Sequence, residues 1–119
     1  MDKNKTLTIY HNPRCSKSRA TLAIISSRTN NFKVVHYLKQ PLIQNEILLI
    51  LKKLKLKSIS IIRQEEKIWK ENYKDKKLSN KEIIDILIKK PVLMKRPIVT
   101  KNNKAIIGIP PENVLKLLD

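Results

Sequence analysis

Cys15 is the one thiol of this 119-residue chain, and it closes the run His11-Asn12-Pro13-Arg14-Cys15. Asn is a favourable helix cap and Pro a favourable first helical residue, so a helix is expected to start at residue 13 with Cys15 in its first turn. Unpaired backbone N–H groups and the helix dipole stabilise an anion at such a place. Arg14, Lys17 and Arg19 add positive charge nearby. These surroundings convert a thiol of ordinary pKa, about 8.5, into a usable thiolate nucleophile. The same helix start offers N–H groups to an anionic substrate. Ser18 lies three residues on, on the same helix face, where its hydroxyl can reach the sulfur. It also fills the position that a second cysteine holds in a Cys-x-x-Cys pair. Redox turnover would therefore need an outside thiol such as glutathione.

The arginines are the second set of residues that suggest chemistry. Lys, Ile and Asn number 21, 18 and 10, while Gly occurs once, where average usage of ~7% gives roughly eight. That pattern follows A/T-rich coding. The net charge of +16 is read mainly as its by-product, and a nucleic-acid-binding face is the lesser alternative. Where lysine is the default cation, each arginine asks for a reason such as bidentate recognition of an oxyanion. There are five: Arg14, Arg19, Arg28, Arg63 and Arg96. Arg96 precedes Pro97 and is held extended, and a cis bond there would aim it at the first helix start. Arg63 precedes Glu65 and Glu66, so a solvated ion pair competes with oxyanion binding. His11 can orient Asn12 and its loop or stabilise a nearby negative charge, whereas His36 reads as a core histidine inside a strand.

These side chains need a scaffold that brings them together. Residues 7–10 (LTIY) form a short β-branched strand, and the helix that follows carries Ala20, Leu22, Ala23, Ile24 and Ile25 until Thr29-Asn30-Asn31 closes it. FKVVHYL at 32–38 is a second strand, and ILLILKKLKL supplies a helix with Ile47, Leu48, Leu51 and Leu54 on one face. Residues 58 to 90 are helical by pattern, with a capping box at Ser79 to Glu82 and a stop at Pro91. Two strands, 96–100 and 104–108, follow around Asn102-Asn103, which tolerate the positive φ of a hairpin turn. Pro110-Pro111 opens a last helix with Val114, Leu115 and Leu118 inward. Lys55 and Asn30 fall at helix ends, where a positive φ strains a lysine.

The sum is an α/β chain, β-α-β, a helical insertion, then β-β-α. It predicts a four-stranded mixed sheet flanked by helices, the thioredoxin-like arrangement, with strands 1 and 2 parallel and 3 and 4 antiparallel. One domain, residues 1–119, with the insertion at about 44–90, fits the length. Only five aromatics are present, so the core must be aliphatic. A single cysteine excludes an intrachain disulfide framework and a multi-cysteine metal site, and no metal is expected. No apolar run approaches the ~18 residues of a membrane span, and the start MDKNKTLTIY lacks an apolar signal core, so the expected location is the cytoplasm with no membrane partner.

HNPRCSKSR (11–19), SIIRQ around Arg63, KKPVLMKRPIV (89–99) and GIPPENVL (108–115) together resemble the ArsC-type arsenate reductases, which depend on glutathione and glutaredoxin. The likeness spans residues 7–118 and is nearest to the compact bacterial ArsC-like branch. It implies that Cys15 attacks arsenate with loss of water. Glutathione then attacks the adduct, glutaredoxin reduces the mixed species, and arsenite leaves. Glutathione is thus a co-substrate, and no bound cofactor is implied. The resemblance carries over Arg63 and Arg96 as two oxyanion-binding arginines and His11 as the histidine ahead of the nucleophile; beside them, His11, Asn12 and Ser18 are expected from their places around Cys15 to be substrate-binding neighbours. The family's third arginine, in a Gly-Arg-Pro element, corresponds to Ile109 in Gly108-Ile109-Pro110. Two alternatives follow: a thiol oxidoreductase with another substrate on the same site, and a non-catalytic, Spx-like regulator that grips RNA polymerase.

Overall fold

The computed structural model describes residues 6–118. Two compact units divide the chain, Met1–Gln40 with Arg96–Asp119, and Pro41–Lys95.

In the first unit, strands β1 (Leu7–Tyr10), β2 (Phe32–Val35), β3 (Ile98–Lys101) and β4 (Lys104–Ile107) make one sheet in the order β2-β1-β3-β4. β1 runs parallel to β2, with Ile9 opposite Val34. It runs antiparallel to β3, with Ile9 opposite Val99, and β3 runs antiparallel to β4. These directions are those expected from the helical crossover between β1 and β2 and the tight turn between β3 and β4. Asn102 adopts φ 58° in that turn. Helix α1 (Ser16–Arg28) and the 3-10 helix Pro111–Leu117 pack against each other. Leu7, Ile9, Ile25, Val99, Val114 and Leu117 form the aliphatic core beneath them. Alternation along β1 points Leu7 and Ile9 into that core, with Thr8 and Tyr10 on the opposite face.

Several local expectations need correction. α1 begins at Ser16, and Cys15 is its N-cap with extended backbone (φ −95°, ψ 124°). The buried side chains of α1 are Ser18, Thr21 and Ile25, while Ala20 and Ala23 face solvent. Polar Ser18 and Thr21 are tolerated there because each hydroxyl is hydrogen-bonded. β2 ends at Val35, which leaves His36 outside the strand and exposed. The last helix is 3-10 throughout and buries Val114 and Leu117; Leu115 is exposed. The Arg96–Pro97 and Ile109–Pro110 peptides are both cis.

The second unit holds α2 (Gln44–Leu54), α3 (Lys67–Asn72) and α4 (Asn80–Lys89). α2 buries Ile47, Ile50 and Leu51, and Leu48 is exposed. The stretch from 58 to 73 is not one helix. A 3-10 turn at Ser58–Ile61 gives way to extended backbone at Ile62, which bridges Met94, and only then does α3 start. The main chain there is satisfied by Arg63 N–H on the Leu93 carbonyl (2.7 Å) and Lys95 N–H on the Ile61 carbonyl (2.8 Å). These long-range bonds replace the helical ones that local pattern suggests. α4 starts as expected: Ser79 Oγ accepts the Glu82 N–H, and Glu82 accepts the Ser79 N–H. Lys55 ends α2 in the left-handed region at φ 59°, whereas Asn30 does not adopt a positive φ.

Candidate functional site

The site grows out of the end of β1. His11 follows the strand, and its N–H donates to the Val35 carbonyl (2.9 Å), which ties the entering chain to β2. Asn12 then makes the turn. Its side-chain oxygen accepts the Arg14 N–H (3.0 Å), and its carbonyl accepts the Cys15 N–H (3.0 Å), an arrangement in which Asn mimics a backbone turn. Asn12 is therefore the organiser of the turn before the helix, and the cap position belongs to Cys15. Arg19, one turn into α1, donates to the Pro13 carbonyl (2.9 Å) and holds the outer side of the same loop.

Ser18 is fully buried, and its hydroxyl is not turned to the sulfur. It lies 2.6 Å from His11 Nδ1 and accepts the Asn12 N–H (3.0 Å). The main chain of Ser18 serves the thiol instead. Cys15 makes no closed side-chain cap hydrogen bond, but a thiolate there is stabilised by the Ser18 and Lys17 N–H groups. Burial pushes the thiol pKa up. The Ser18 amide, the Arg96 charge, the Lys17 amide and a hydrogen bond from Arg96 together outweigh it and hold the thiol below its ordinary value. Arg96 thus arrives at Cys15 as the sequence suggests, and its Nε is buried without a partner. No acidic side chain stands in the first turn of α1 to oppose the charge.

His11 is buried, and its ring meets that of His36 edge-on with centroids 5.9 Å apart. Burial, then His36 and Arg19, lowers the His11 pKa, so the ring is neutral near pH 7. His36 is thus an exposed neighbour of the site and not a core histidine.

Arg63 belongs to the second unit. There Nη2 pairs with Glu66 (2.9 Å), Nε faces Glu65 at 3.6 Å, and Nη1 donates to the Val92 carbonyl (3.1 Å). The ion pair anticipated from Glu65-Glu66 is present. Ile109 is exposed. Of the lysines near it in sequence, Lys101 is held by the Leu117 carbonyl (2.8 Å), and Lys104 lies at the start of β4. Among the described residues no group of three or more His, Cys, Asp or Glu side chains can hold a metal ion. No helix there is long and apolar enough to cross a membrane.

Three residues that sequence reasoning did not single out, Thr21, Gly108 and Asn113, meet where α1 lies against the Pro97 segment and the Gly108 turn. Asn113 donates to the carbonyls of Ile107 (3.2 Å) and Ile109 (3.0 Å), and the Gly108 N–H donates to the Pro97 carbonyl (2.8 Å). The signal was present in composition, because Gly108 is the only glycine.

A thioredoxin-like sheet with a thiol at the cap of its first helix, faced by an arginine from the segment leading into β3, defines the class of protein. The chain matches the ArsC family over residues 10–117 and belongs to it. It is 43% identical over 116 residues to the protein YfgD of Escherichia coli K12, covering 96% of this chain and 98% of that one. It is 39% identical over 114 residues to an arsenate reductase of Neisseria meningitidis, covering 94% and 97%. Among solved structures, an arsenate reductase from Vibrio cholerae superposes with a TM-score of 0.89 at 36% identity, covering 95% of this chain and 98% of that one.

Proposed function

We propose that this protein is a thiol-dependent oxidoreductase that reduces arsenate to arsenite, with glutathione and glutaredoxin as the source of electrons. The observation that carries the reading is the Cys15 thiol at the cap of α1, held below its ordinary pKa by N–H groups and by Arg96. It is supported by the relatives that bear the name arsenate reductase.

In this reading the Cys15 thiolate attacks arsenic, an arsenate oxygen leaves as water, and a sulfur–arsenic bond forms. Glutathione displaces a second oxygen in the same way. Glutaredoxin then takes the glutathione sulfur into a disulfide, and the electron pair of the broken sulfur–arsenic bond reduces As(V) to As(III). Water finally releases arsenite and returns the Cys15 thiol. No metal or organic cofactor takes part. The N–H groups at the start of α1, which hold the thiolate before attack, and the Arg96 guanidinium neutralise the oxyanion as charge moves onto it. Arg63 is assigned as a second oxyanion ligand from the family pattern alone. His11, Asn12 and Ser18 keep the loop in the shape that presents the sulfur. The reductants place the work in the cytoplasm, where glutathione is held reduced.

The exposed Ile109 favours a second reading, in which the same thiol acts on a different oxidised substrate. Loss of one pre-organised donor costs about 10²–10³ in rate in comparable sites. The deciding experiment is arsenate-dependent NADPH oxidation coupled through glutathione, glutaredoxin and glutathione reductase, on wild type, Cys15→Ser and Ile109→Arg. Turnover that Cys15→Ser abolishes establishes the arsenate reading. Turnover only in Ile109→Arg gives the site to another substrate. Silence in both, with a stable RNA-polymerase complex, points to the regulator.

A further inference from the structure

Gly108 sits between two rigid groups. A Cβ added to it would lie 2.6 Å from Thr21 Oγ1 and 2.7 Å from Pro97 Cγ, with Pro97 Cδ at 3.1 Å. All three distances are shorter than van der Waals contact, which for carbon pairs is ~3.5–4.0 Å. Neither neighbour can turn aside. Thr21 is fully buried in α1 and its hydroxyl is committed to the Lys17 carbonyl (2.8 Å). Pro97 is a buried ring, and its own carbonyl accepts the Gly108 N–H (2.8 Å). A methyl group at residue 108 must therefore push α1 and the Pro97 segment apart.

Those two groups are the ones that carry the two members of the thiol site. α1 is capped by Cys15, and Arg96 is the residue bonded to Pro97. Asn113 fixes the wedge from behind by holding the carbonyls on either side of Gly108. We propose that Gly108 is a positioning residue, the spacer whose missing side chain lets α1 and the Pro97 segment close far enough for Arg96 to meet the Cys15 sulfur. The composition agrees. In a sequence with a single glycine, that glycine stands where the backbone must approach a side chain more closely than any Cβ allows. Its φ is not positive, so closeness and not backbone freedom is the requirement.

This inference rests on Cys15 being the reactive group, as proposed above, but it does not need arsenate. The test is the pH dependence of Cys15 alkylation by iodoacetamide in wild type, Arg96→Gln, Gly108→Ala and the double variant, each checked for its native circular-dichroism spectrum. Gly108→Ala is expected to move the profile to higher pH and slow alkylation at pH 7 several-fold, as Arg96→Gln does. The double variant is expected to match Arg96→Gln alone, because once the guanidinium is gone its spacing no longer matters. A purely structural glycine would give a lower melting temperature with an unchanged profile. That result, or two shifts that add in the double variant, overturns the proposal. If Gly108→Ala does not fold, the comparison is made on Thr21→Ala/Gly108→Ala against Thr21→Ala, in which the hydroxyl contact is gone and the Pro97 contact remains. A low thiol pKa without arsenate turnover would sink the arsenate reading and leave Gly108 in its role; an ordinary thiol pKa in wild type would overturn this proposal as well.

Discussion

The Ser18 hydroxyl oxygen lies 2.6 Å from His11 Nδ1 and also receives the Asn12 N–H at 3.0 Å. With His11 neutral, all three groups are satisfied when the Ser18 O–H donates to Nδ1, which leaves the imidazole proton on Nε2. One buried hydroxyl therefore fixes both the ring of His11 and the turn ahead of Cys15.

Replacing Ser18 by Ala leaves the Asn12 N–H and His11 Nδ1 without partners inside the protein. Unsatisfied buried groups cost about 1–3 kcal/mol each. Ser18→Ala is expected to lower the melting temperature accordingly and to loosen the turn, so that alkylation of Cys15 becomes slower at neutral pH. Unchanged melting and alkylation would show that the hydroxyl does neither.

His11 carries a pH dependence of definite sign. Its folded pKa is below the ordinary 6.5, so between those two values the unfolded chain binds more protons than the folded one. The contribution of neutral His11 is complete above pH 6.5 and is lost as the pH falls from there toward the folded value. Chemical denaturation of wild type and His11→Gln at pH 7.5 and at pH 5 measures it. The wild type is expected to lose more stability than the variant on acidification.

Arg96→Gln removes the charge and the hydrogen bond that Arg96 gives the sulfur. The thiolate should then form only at higher pH, with a several-fold fall in alkylation rate at pH 7. The same depressed thiol pKa means that folded-state stability rises with pH between the folded and unfolded thiol pKa values, and Cys15→Ser should abolish that rise.

Lys55 closes α2 at φ 59° with its N–H on the Leu51 and Lys52 carbonyls. The left-handed region costs a side-chain-bearing residue roughly 1–2 kcal/mol. Lys55 is exposed, so Lys55→Gly removes that strain without losing packing and is expected to raise stability by up to about 1 kcal/mol, read as an increase in melting temperature.

The strands, their directions and the Ser79 cap were legible because short-range signals and tertiary contacts agree there. The β-branched LTIY, the Asn102 turn and the Ser79-to-Glu82 box each meet the environment that their chemistry asks for. The stretch 58–73 was misread because Ile61, Arg63, Leu93 and Lys95 pair their main chains across some thirty residues, and no window of helical periodicity contains that information. Cys15 and Arg96 were legible from residue type and from the neighbouring prolines. The split of tasks within Ser18, its hydroxyl for His11 and its amide for the sulfur, was not, because it depends on one residue's distance between helix start and helix cap. Thr21 and Gly108 were invisible as a pair, since only packing brings residues so far apart in sequence into contact.

The sheet order gives the lysine-rich composition a use. β2 and β4 are the outer strands, each four residues long, and each carries an exposed lysine, Lys33 and Lys104. A second copy that tried to extend the sheet by adding its own outer strand would bring these positively charged strands together over a very short ladder. Charged side chains on short outer strands oppose edge-to-edge pairing, so a concentrated solution of this protein is expected to stay clear at low salt and to become turbid as salt screens them.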